Sequence, residues 1–394
     1  MDKPQLKKPN LLLRLALGLL TLAVLLAGIA VVVYRDRLNL DALKRWYTYR
    51  SLSLSDSGQA ESFRYSSSES DVFADLGGDL LVCGRNVIGL YSGSGVQYIK
   101  QPVSFTSPAV AVGGGSAVVY DAGGKDLYVF HKREQIFYLH SEGMLLSASL
   151  NDNGLLTVVS QQSGFRSVAT VYDSSFDPSA YTALRLSSTY IMDARLAADN
   201  RTLAAVCVGQ QNGEFTSTLQ LYDLGSLTAD GVSQEAVPFA SCPLGGNVVL
   251  ELGSSAGRWW ALGDRGLWLM DSGGTVLGIL DWSDRILKAY TLSGEGFSAA
   301  LLGKYRADSQ ASLSVVDSGG VLTGTLELHE QVLSLDAAGR YFAVLTADRL
   351  DLYTRDLKLY SSLTGTQGAQ QVLLRDDGSA ILIAAGTARL YVPG

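Results

Sequence analysis

A short motif that recurs along most of the chain constrains the fold more than any other feature of this sequence. The motif is an apolar residue followed by tyrosine or a substitute, and its tyrosine positions are separated by 37 to 50 residues. It occurs eight times, at Leu90-Tyr91, Leu127-Tyr128, Val171-Tyr172, Leu221-Tyr222, Leu269-Met270, Val315-Val316, Leu352-Tyr353 and Leu390-Tyr391. A period of this length indicates one structural unit that is built many times and stacked on its neighbours.

Each period from about Ser70 onward contains four short apolar runs separated by turn residues. The turns Asp271-Ser272-Gly273-Gly274 and Asp317-Ser318-Gly319-Gly320 suit tight hairpins that need a positive φ angle. Runs such as 380–384 are apolar on consecutive residues, which is typical of a strand covered on both faces. Four short strands in each period of ~40–45 residues predict an all-β fold, the β-propeller.

The number of repeats predicts eight blades, and seven blades are the alternative. The last repeat ends at Gly394 after only three strands. A ring without an open edge needs a fourth strand there, which we expect from the start of the domain, around Ser62 to Tyr65. A pair of stacked β-sandwiches is the other all-β interpretation, but it explains a single period less well.

The N-terminal region predicts a membrane anchor. Residues 15–33 carry no charge, and as a helix they would span roughly 28 Å, close to the thickness of a bilayer core. We therefore expect a basic cytoplasmic tail at 1–14, a transmembrane helix at 15–34 and a domain outside the cytoplasm, because long domains translocate largely regardless of charge. Two alternatives are a cleaved signal peptide and, because the flanking charges nearly balance, the opposite orientation.

Residues 35–50 are predicted to form a juxtamembrane amphipathic helix, since Leu40, Leu43 and Trp46 recur at helical spacing. Its apolar stripe would lie on lipid headgroups or would pack on the following domain, and the sequence does not separate these alternatives. Residues 51–69 then form a linker that contains the closing strand, and residues 70–394 form the propeller.

Charge is divided unevenly along the chain. Residues 1–50 hold nine Lys/Arg and three Asp/Glu, whereas residues 51–394 hold 22 Lys/Arg and 35 Asp/Glu. An acidic domain repels phosphate backbones, so nucleic acid is not an expected partner, and anionic lipid headgroups explain the basic tail. The three cysteines, Cys83, Cys207 and Cys242, have no metal-ligand spacing. Three buried thiols are the favoured interpretation, and a Cys207–Cys242 bond is the alternative.

The sequence contains no recognisable catalytic, metal-binding or cofactor-binding motif, so no such site is predicted. The histidines are scattered, and the glycine run and several acidic residues fall where hairpin turns are expected. These residues are His131, His140 and His329, Gly113-Gly114-Gly115, and Asp152, Asp199, Asp376 and Asp377. A glycosylation sequon at Asn200-Arg201-Thr202 also lies in such a turn.

Four of the five tryptophans are clustered in one part of the sequence. Trp259, Trp260, Trp268 and Trp282 fall in or just after the fifth repeat. Their faces could stack on a sugar or bind a peptide, which makes them the candidate binding residues. Adjacent Trp259 and Trp260 must point to opposite faces of a strand, however, and packing between blades is the favoured explanation.

The chain resembles a domain-of-unknown-function family, family 5711 of Gram-positive-type bacteria, in several turn and strand signatures. These are the stretch 119–124, VYDAGG, and the stretch 164–173, which runs from Gly164-Phe165-Arg166-Ser167 to Val171-Tyr172-Asp173. The basic tail, the single span and Lys44-Arg45-Trp46 also fit. The resemblance implies a membrane-tethered propeller and supplies no activity or site residues; a broader similarity to quinoprotein-like and WD40-like propellers is architectural.

These features predict a non-enzymatic binding or scaffolding module for a protein, a peptide or an envelope glycan. It would be tethered to the bilayer through residues 15–34 and exposed outside the cytoplasm. The alternative is a cell-envelope hydrolase or lyase with carboxylates at the mouth of the central channel. Several titratable side chains converging on an axial pocket would favour that alternative.

Overall fold

The computed structural model describes residues 17–22, 25, 40–68, 70–177, 181–227, 236–255, 257–306 and 309–394. The chain divides into two compact units, one running up to Leu52 and including Gly394, and the other comprising Ser53–Pro393.

The first unit is helical over most of its described residues. Residues 17–22 and 25 have helical backbone, and helix α1 spans Leu40–Tyr49, within the segment where helical spacing predicts a helix. Leu43 and Trp46 are exposed, and the Arg50 guanidinium lies 4.4 Å from the centre of the Tyr47 ring. The tail 1–14 and most of the predicted span 15–34 lie outside the described residues. In the part of the chain that is described, no helix is both long and apolar enough to cross a membrane.

The second unit is an eight-bladed β-propeller, which confirms the predicted fold class and blade number. Its strands form eight four-stranded antiparallel sheets. Blades 1 to 4 contain β2 (Val72–Leu76), β3 (Asp79–Cys83), β4 (Val87–Tyr91), β5 (Gln97–Pro102), β6 (Pro108–Gly113), β7 (Ser116–Asp121), β8 (Asp126–His131), β9 (Glu134–His140), β10 (Leu145–Leu150), β11 (Leu156–Gln162), β12 (Phe165–Tyr172), β13 (Tyr181–Leu186), β14 (Tyr190–Leu196), β15 (Thr202–Gln211), β16 (Glu214–Asp223) and β17 (Ala240–Gly245).

The remaining four blades follow the same order. In blade 4 a 3₁₀ turn at Leu224–Ser226 follows β16. Blades 5 to 8 contain β18 (Val249–Ser255), β19 (Arg258–Gly263), β20 (Gly266–Met270), β21 (Val276–Asp281), β22 (Ile286–Gly294), β23 (Phe297–Gly303), β24 (Ala311–Asp317), β25 (Leu322–Leu328), β26 (Ser334–Ala338), β27 (Tyr341–Leu345), β28 (Arg349–Thr354), β29 (Leu359–Thr364), β30 (Ala369–Leu374), β31 (Ala380–Ala384), β32 (Thr387–Tyr391) and β1 (Phe63–Arg64).

The first strand of each blade is the innermost. Contacts between blades run from first strand to first strand, as in β2 with β6, β10 with β14 and β26 with β30, so these strands surround the central channel. Second strands such as β23 and β27 are buried along their whole length, whereas outer strands such as β21 alternate between exposed and partly buried residues. The core therefore lies between adjacent blades, as the consecutively apolar runs predict.

The ring closes between the two ends of the domain. Strand β1 pairs with β32, placing Phe63 opposite Ala388, so the eighth sheet has the order β1-β32-β31-β30. The Ala60 amide donates to the Leu390 carbonyl at 2.9 Å, and the Tyr65 hydroxyl donates to the Ala384 carbonyl at 2.8 Å. The closing strand lies where the sequence predicts it, and the eighth blade has no unpaired third strand.

The hairpin between β20 and β21 shows how turn chemistry ends a strand. Asp271 Oδ1 accepts hydrogen bonds from the amides of Gly273 at 2.9 Å and Thr275 at 2.8 Å, and Gly274 has a φ of 83°. The equivalent turn after β24 repeats this arrangement around Asp317. Both turns are the tight, positive-φ hairpins that their sequences predict.

All three cysteines are free and buried, as the favoured interpretation has it. Cys207 lies in β15 and Cys242 in β17, with β16 between them. Two strand spacings place their Cα atoms roughly 10 Å apart, beyond the reach of a disulfide.

Candidate functional site at the channel mouth

β-Bulges recur at one position of the innermost strands. In five blades the register shifts near the start of the first strand, which carries one extra residue there relative to the second strand. These residues are Leu146 in β10, Met192 in β14, Leu250 in β18, Lys288 in β22 and Gln370 in β30. A bulge redirects a side chain and is typical of functional positions.

Apolar side chains are exposed at this end of blades 3 to 5. Met192 is 46% exposed and Leu250 is 51% exposed, although both lie on innermost strands. Both residues lie near the start of an innermost strand, so their exposed side chains lie at this end of the ring, beside the opening of the channel. Six exposed residues at the same end form what we call the mouth patch: Met144, Tyr190, Met192, Phe215, Val248 and Leu250. An apolar patch of this kind is typical of a binding surface.

A cavity adjoins the mouth patch through Tyr190. It has a volume of about 640 Å³ and is lined by the turn between β11 and β12 together with Glu142, Gly143 and Tyr190. Arg166 Nη1 donates a hydrogen bond to the Tyr190 hydroxyl at 3.1 Å, and its guanidinium lies 5.2 Å from the ring centre. The cavity therefore offers an aromatic and a cationic group next to the apolar surface.

Charged residues lie beside the two exposed bulge residues. Asp193 follows Met192 and Glu251 follows Leu250; with Arg195 and Tyr290 they form what we call the charged well. Arg195 Nη2 lies 3.6 Å from Glu251 Oε1, and the Tyr290 hydroxyl donates a hydrogen bond to the Glu251 carboxylate. The well thus spans the innermost strands of blades 4, 5 and 6.

Burial raises the pKa values of two groups in the charged well, and the positive charge of Arg195 offsets the effect only in part. Burial raises the pKa of Glu251, and nearby Asp193 raises it further, although Arg195 opposes the change. Burial and the Glu251 carboxylate raise the pKa of Tyr290 to about 12. Asp193 makes no hydrogen bond or ion pair with the described residues, and Arg195 Nε is buried without an acceptor among them. The well therefore holds two carboxylates and one guanidinium.

The same groups define what the site can do chemically. A carboxylate with a raised pKa beside a phenol, as Glu251 is beside Tyr290, can bind a cation or exchange protons. Among the described residues, no group of three or more His, Cys, Asp or Glu side chains is arranged to hold a metal ion. His140 instead contacts Asp126 Oδ1 through Nδ1 at 2.7 Å, and His131 contacts Ser116 Oγ at 2.9 Å.

Three of the four candidate tryptophans are core residues. Trp259, Trp260 and Trp282 are at most 2% exposed, so none offers a ring face to a ligand from solvent. Trp259 packs in the cluster between blades 4 and 5, and Trp260 packs between blades 5 and 6. The two rings face opposite ways, as the strand period requires, and this burial supports the packing explanation. Trp268 is partly buried and stays a candidate.

The remaining candidates lie in turns, as expected. Gly114 and Gly115 connect β6 to β7 with positive φ angles, and Asp152, Asp376 and Asp377 lie between first and second strands. Asp199 Oδ1 accepts from the amides of Arg201 and Thr202, each at 2.8 Å. The Asn200 side chain accepts hydrogen bonds from Asn151 and Asn153. These residues stabilise hairpins and the contact between blades 3 and 4.

The charged well was not predicted from the sequence. Its signal is an apolar–acidic pair, Met192-Asp193 or Leu250-Glu251, early in the first strand of two successive repeats. The pair becomes visible only after each first strand is aligned, and the bulges shift that alignment by one residue.

The fold and the mouth together define a β-propeller with an exposed apolar entrance to its central channel. Residues 48–373 match the family of unknown function DUF5711, and the chain belongs to this family. No curated protein matches the chain in sequence.

Solved structures share the fold at low sequence identity. BamB from Moraxella catarrhalis superposes with a TM-score of 0.54 and 13% identity over 84% of this chain and 98% of its own. Apo AztD from Citrobacter koseri superposes with a TM-score of 0.52 and 10% identity over 79% of this chain and 93% of its own. Chaetomium thermophilum Sqt1, bound to the N-terminus of the ribosomal protein L10, superposes with a TM-score of 0.50 and 12% identity. The superposition covers 80% of this chain and 94% of the Sqt1 chain. At these identities the likeness establishes the propeller fold alone.

Proposed function

We propose that this protein is a membrane-anchored extracytoplasmic propeller that binds a protein or peptide segment at its channel mouth. One observation carries the proposal. Met192 and Leu250 are the bulge residues of the innermost strands β14 and β18, and both side chains are exposed. Met side chains adapt to varied apolar partners, which suits a binding surface. Sqt1, a propeller of related shape, holds a protein N-terminus.

A protein segment suits this surface better than a glycan does. Sugars are usually gripped by open aromatic faces, and three of the four candidate tryptophans, Trp259, Trp260 and Trp282, are buried. The mouth patch is mainly aliphatic and thioether surface, which gains free energy by covering apolar side chains of a partner.

The proposed anchor rests on the uncharged run at 15–33 and on α1. A run of this length matches the bilayer core, and the exposed Trp46 and Tyr47 of α1 suit the headgroup layer. The short basic tail is expected to stay in the cytoplasm, which places the propeller outside.

Site-specific photo-crosslinking in living cells tests the binding function. A benzophenone amino acid at Leu250 or Met192 is expected to give one discrete protein adduct. The matched control is Leu359, an apolar residue of outer strand β29 that is 58% exposed. The adduct should disappear when Met144→Asp places a charge in the mouth patch. Equal adducts from Leu359, or none from the mouth, would refute the proposal.

Labelling of whole cells with an impermeant thiol reagent tests the topology. Ser272→Cys, in the exposed hairpin between β20 and β21, is expected to react, and Gln5→Cys in the basic tail is not. The native thiols contribute little background because all three are buried. Reaction of Gln5→Cys without Ser272→Cys would reverse the proposed orientation.

The charged well favours a second candidate function, that of an envelope hydrolase or lyase. Asp193 and Glu251 lie on adjacent innermost strands, and the raised pKa of Glu251 suits a general acid. In that case Glu251→Gln would abolish turnover of an envelope polysaccharide or peptide and would leave its binding intact. Unchanged substrate after incubation with the wild-type protein would exclude this candidate.

A further inference from the structure

We propose that the charged well receives a lysine or arginine side chain of the bound segment while flanking apolar side chains of that segment cover the mouth patch. The inference rests on the proposed function and adds the chemistry that the partner must carry. The partner is therefore a protein segment with a basic residue between apolar ones.

The arrangement of the site supplies the first argument. Met192 and Asp193 are consecutive on β14, as are Leu250 and Glu251 on β18, so each exposed apolar residue has a carboxylate beside it. Lysine and arginine have the same division, an apolar stem that ends in a charged head. Such a side chain can pack its stem against Met192 and Leu250 and place its head among the carboxylates.

The charge of the well supplies the second argument. Arg195 and Glu251 lie 3.6 Å apart and offset one another, whereas Asp193 has no ion-pair partner among the described residues. The Asp193 carboxylate is therefore available to one cationic head. Lys288, the bulge residue of blade 6, does not fill this role: its stem lies against Gly303, and it lines a separate cavity of about 550 Å³ between blades 6 and 7.

An anionic ligand fits the same site poorly. Any acceptor that approaches Arg195 also meets Asp193 and Glu251, and like charges at short range repel. The Tyr290 hydroxyl, the other donor of the well, is already engaged by Glu251. The excess of 35 Asp/Glu over 22 Lys/Arg in residues 51–394 also draws basic segments toward the propeller.

Selection from a random displayed peptide library, with the full chain in nanodiscs of zwitterionic lipid, tests the inference. We expect enriched peptides to carry Lys or Arg flanked by apolar residues. Their affinity should fall at least tenfold in Asp193→Asn and should weaken with added salt. The matched control is Asp356→Asn, in the exposed turn after β28, which should bind as the wild type does.

The outcomes separate the two proposals. Enriched peptides that lack a basic residue, or that bind Asp193→Asn unchanged, overturn the inference and leave the binding function intact. Enriched acidic peptides also overturn it. If no peptide binds better to the wild type than to Leu250→Asp, the proposed function fails, and the inference fails with it.

Discussion

Arg375 Nε donates a hydrogen bond to Asp75 Oδ1 at 2.8 Å and thereby joins the eighth blade to the first. A second guanidinium nitrogen, Nη2, donates to the Gly78 carbonyl at the same distance. The pair lies at the inner side of the ring, where β30 contacts β2, while β1 and β32 close the outer side. Closure therefore depends on two separate contacts between the ends of the domain.

Loss of this ion pair should weaken the ring. We expect Arg375→Ala to lower the free energy of unfolding by about 2–3 kcal/mol, because the side chain is only 10% exposed and its removal leaves Asp75 uncompensated. The matched control is Arg201→Ala, which breaks a pair with Asp223 whose arginine is 73% exposed. That change should cost less than Arg375→Ala does, because solvent screens an exposed ion pair. Urea unfolding followed by circular dichroism measures both, and equal losses would contradict the expectation.

The closing segment should be sensitive to one methyl group. Gly58 has a φ of 78°, and a Cβ there would collide with the Val392 carbonyl oxygen. Gly58→Ala should therefore displace residues 58–65 and speed hydrogen exchange at the Ala60 and Val392 amides, which donate across this seam. Gly77→Ala is the control: it shares the positive φ but has open space around its Cβ. Unchanged exchange in Gly58→Ala would contradict this account of closure.

Asp336 should make stability depend on pH. Burial raises its pKa from 3.8 to about 6, although the amides of Leu374 and Ala337 donate to it. The folded protein therefore binds more protons than the unfolded chain between about pH 4 and 6. The stability this gives is present below pH 4 and is lost as pH rises through 6, by at most about 3 kcal/mol.

Comparison with Asp336→Asn isolates this contribution. The amide cannot accept both backbone hydrogen bonds, so the variant is less stable at low pH by about 1 kcal/mol or more. The difference in free energy of unfolding between wild type and variant, measured by urea unfolding, should shrink as pH rises from 4 to 7. A difference that stays constant with pH would show that Asp336 does not titrate in this range.

Two buried tryptophans of equal exposure should respond differently to substitution. Trp282 Nε1 donates to the Asp264 carbonyl at 3.1 Å, whereas Trp260 Nε1 has no acceptor among the described residues. Both changes to phenylalanine leave a similar void, but Trp282→Phe also removes a hydrogen bond. We therefore expect Trp282→Phe to cost about 1 kcal/mol more in thermal or urea unfolding. The reverse order would contradict this assignment.

The native thiols should be inert until the propeller unfolds. Burial raises the pKa of Cys83 and of Cys207 to about 12, so little thiolate exists at neutral pH. A colorimetric disulfide reagent should titrate no thiol rapidly in the native state and three after denaturation. Fast reaction of one thiol in native protein would indicate local opening of its blade.

The sequence predicted the architecture because the signals that define it are local. The tyrosine motif, the Asp271 and Asp317 turns and the consecutively apolar strands each report on a few neighbouring residues, and together they predict eight blades. The missing strand near Tyr65 followed from the need to close a ring. Burial of Trp259 and Trp260 on opposite faces followed from the strand period alone.

The site could not be predicted in the same way. Asp193, Glu251 and Tyr290 come from three blades, and only the ring brings them together. The bulges at Met192 and Leu250 also break the simple alternation of inward and outward residues. Arg375 and Asp75 are 300 residues apart in the sequence, and no local sequence pattern predicts their contact.

The pairing of β1 with β32 has a consequence for biosynthesis. Strand β1 leaves the ribosome before the other strands of the propeller, and it must wait until residues 387–391, with which it pairs, have been made. The domain therefore cannot close its ring before its last strand is synthesised, and closure joins the most distant parts of the propeller sequence. A nascent chain stalled before its final hairpin should remain open to proteases and to chaperones.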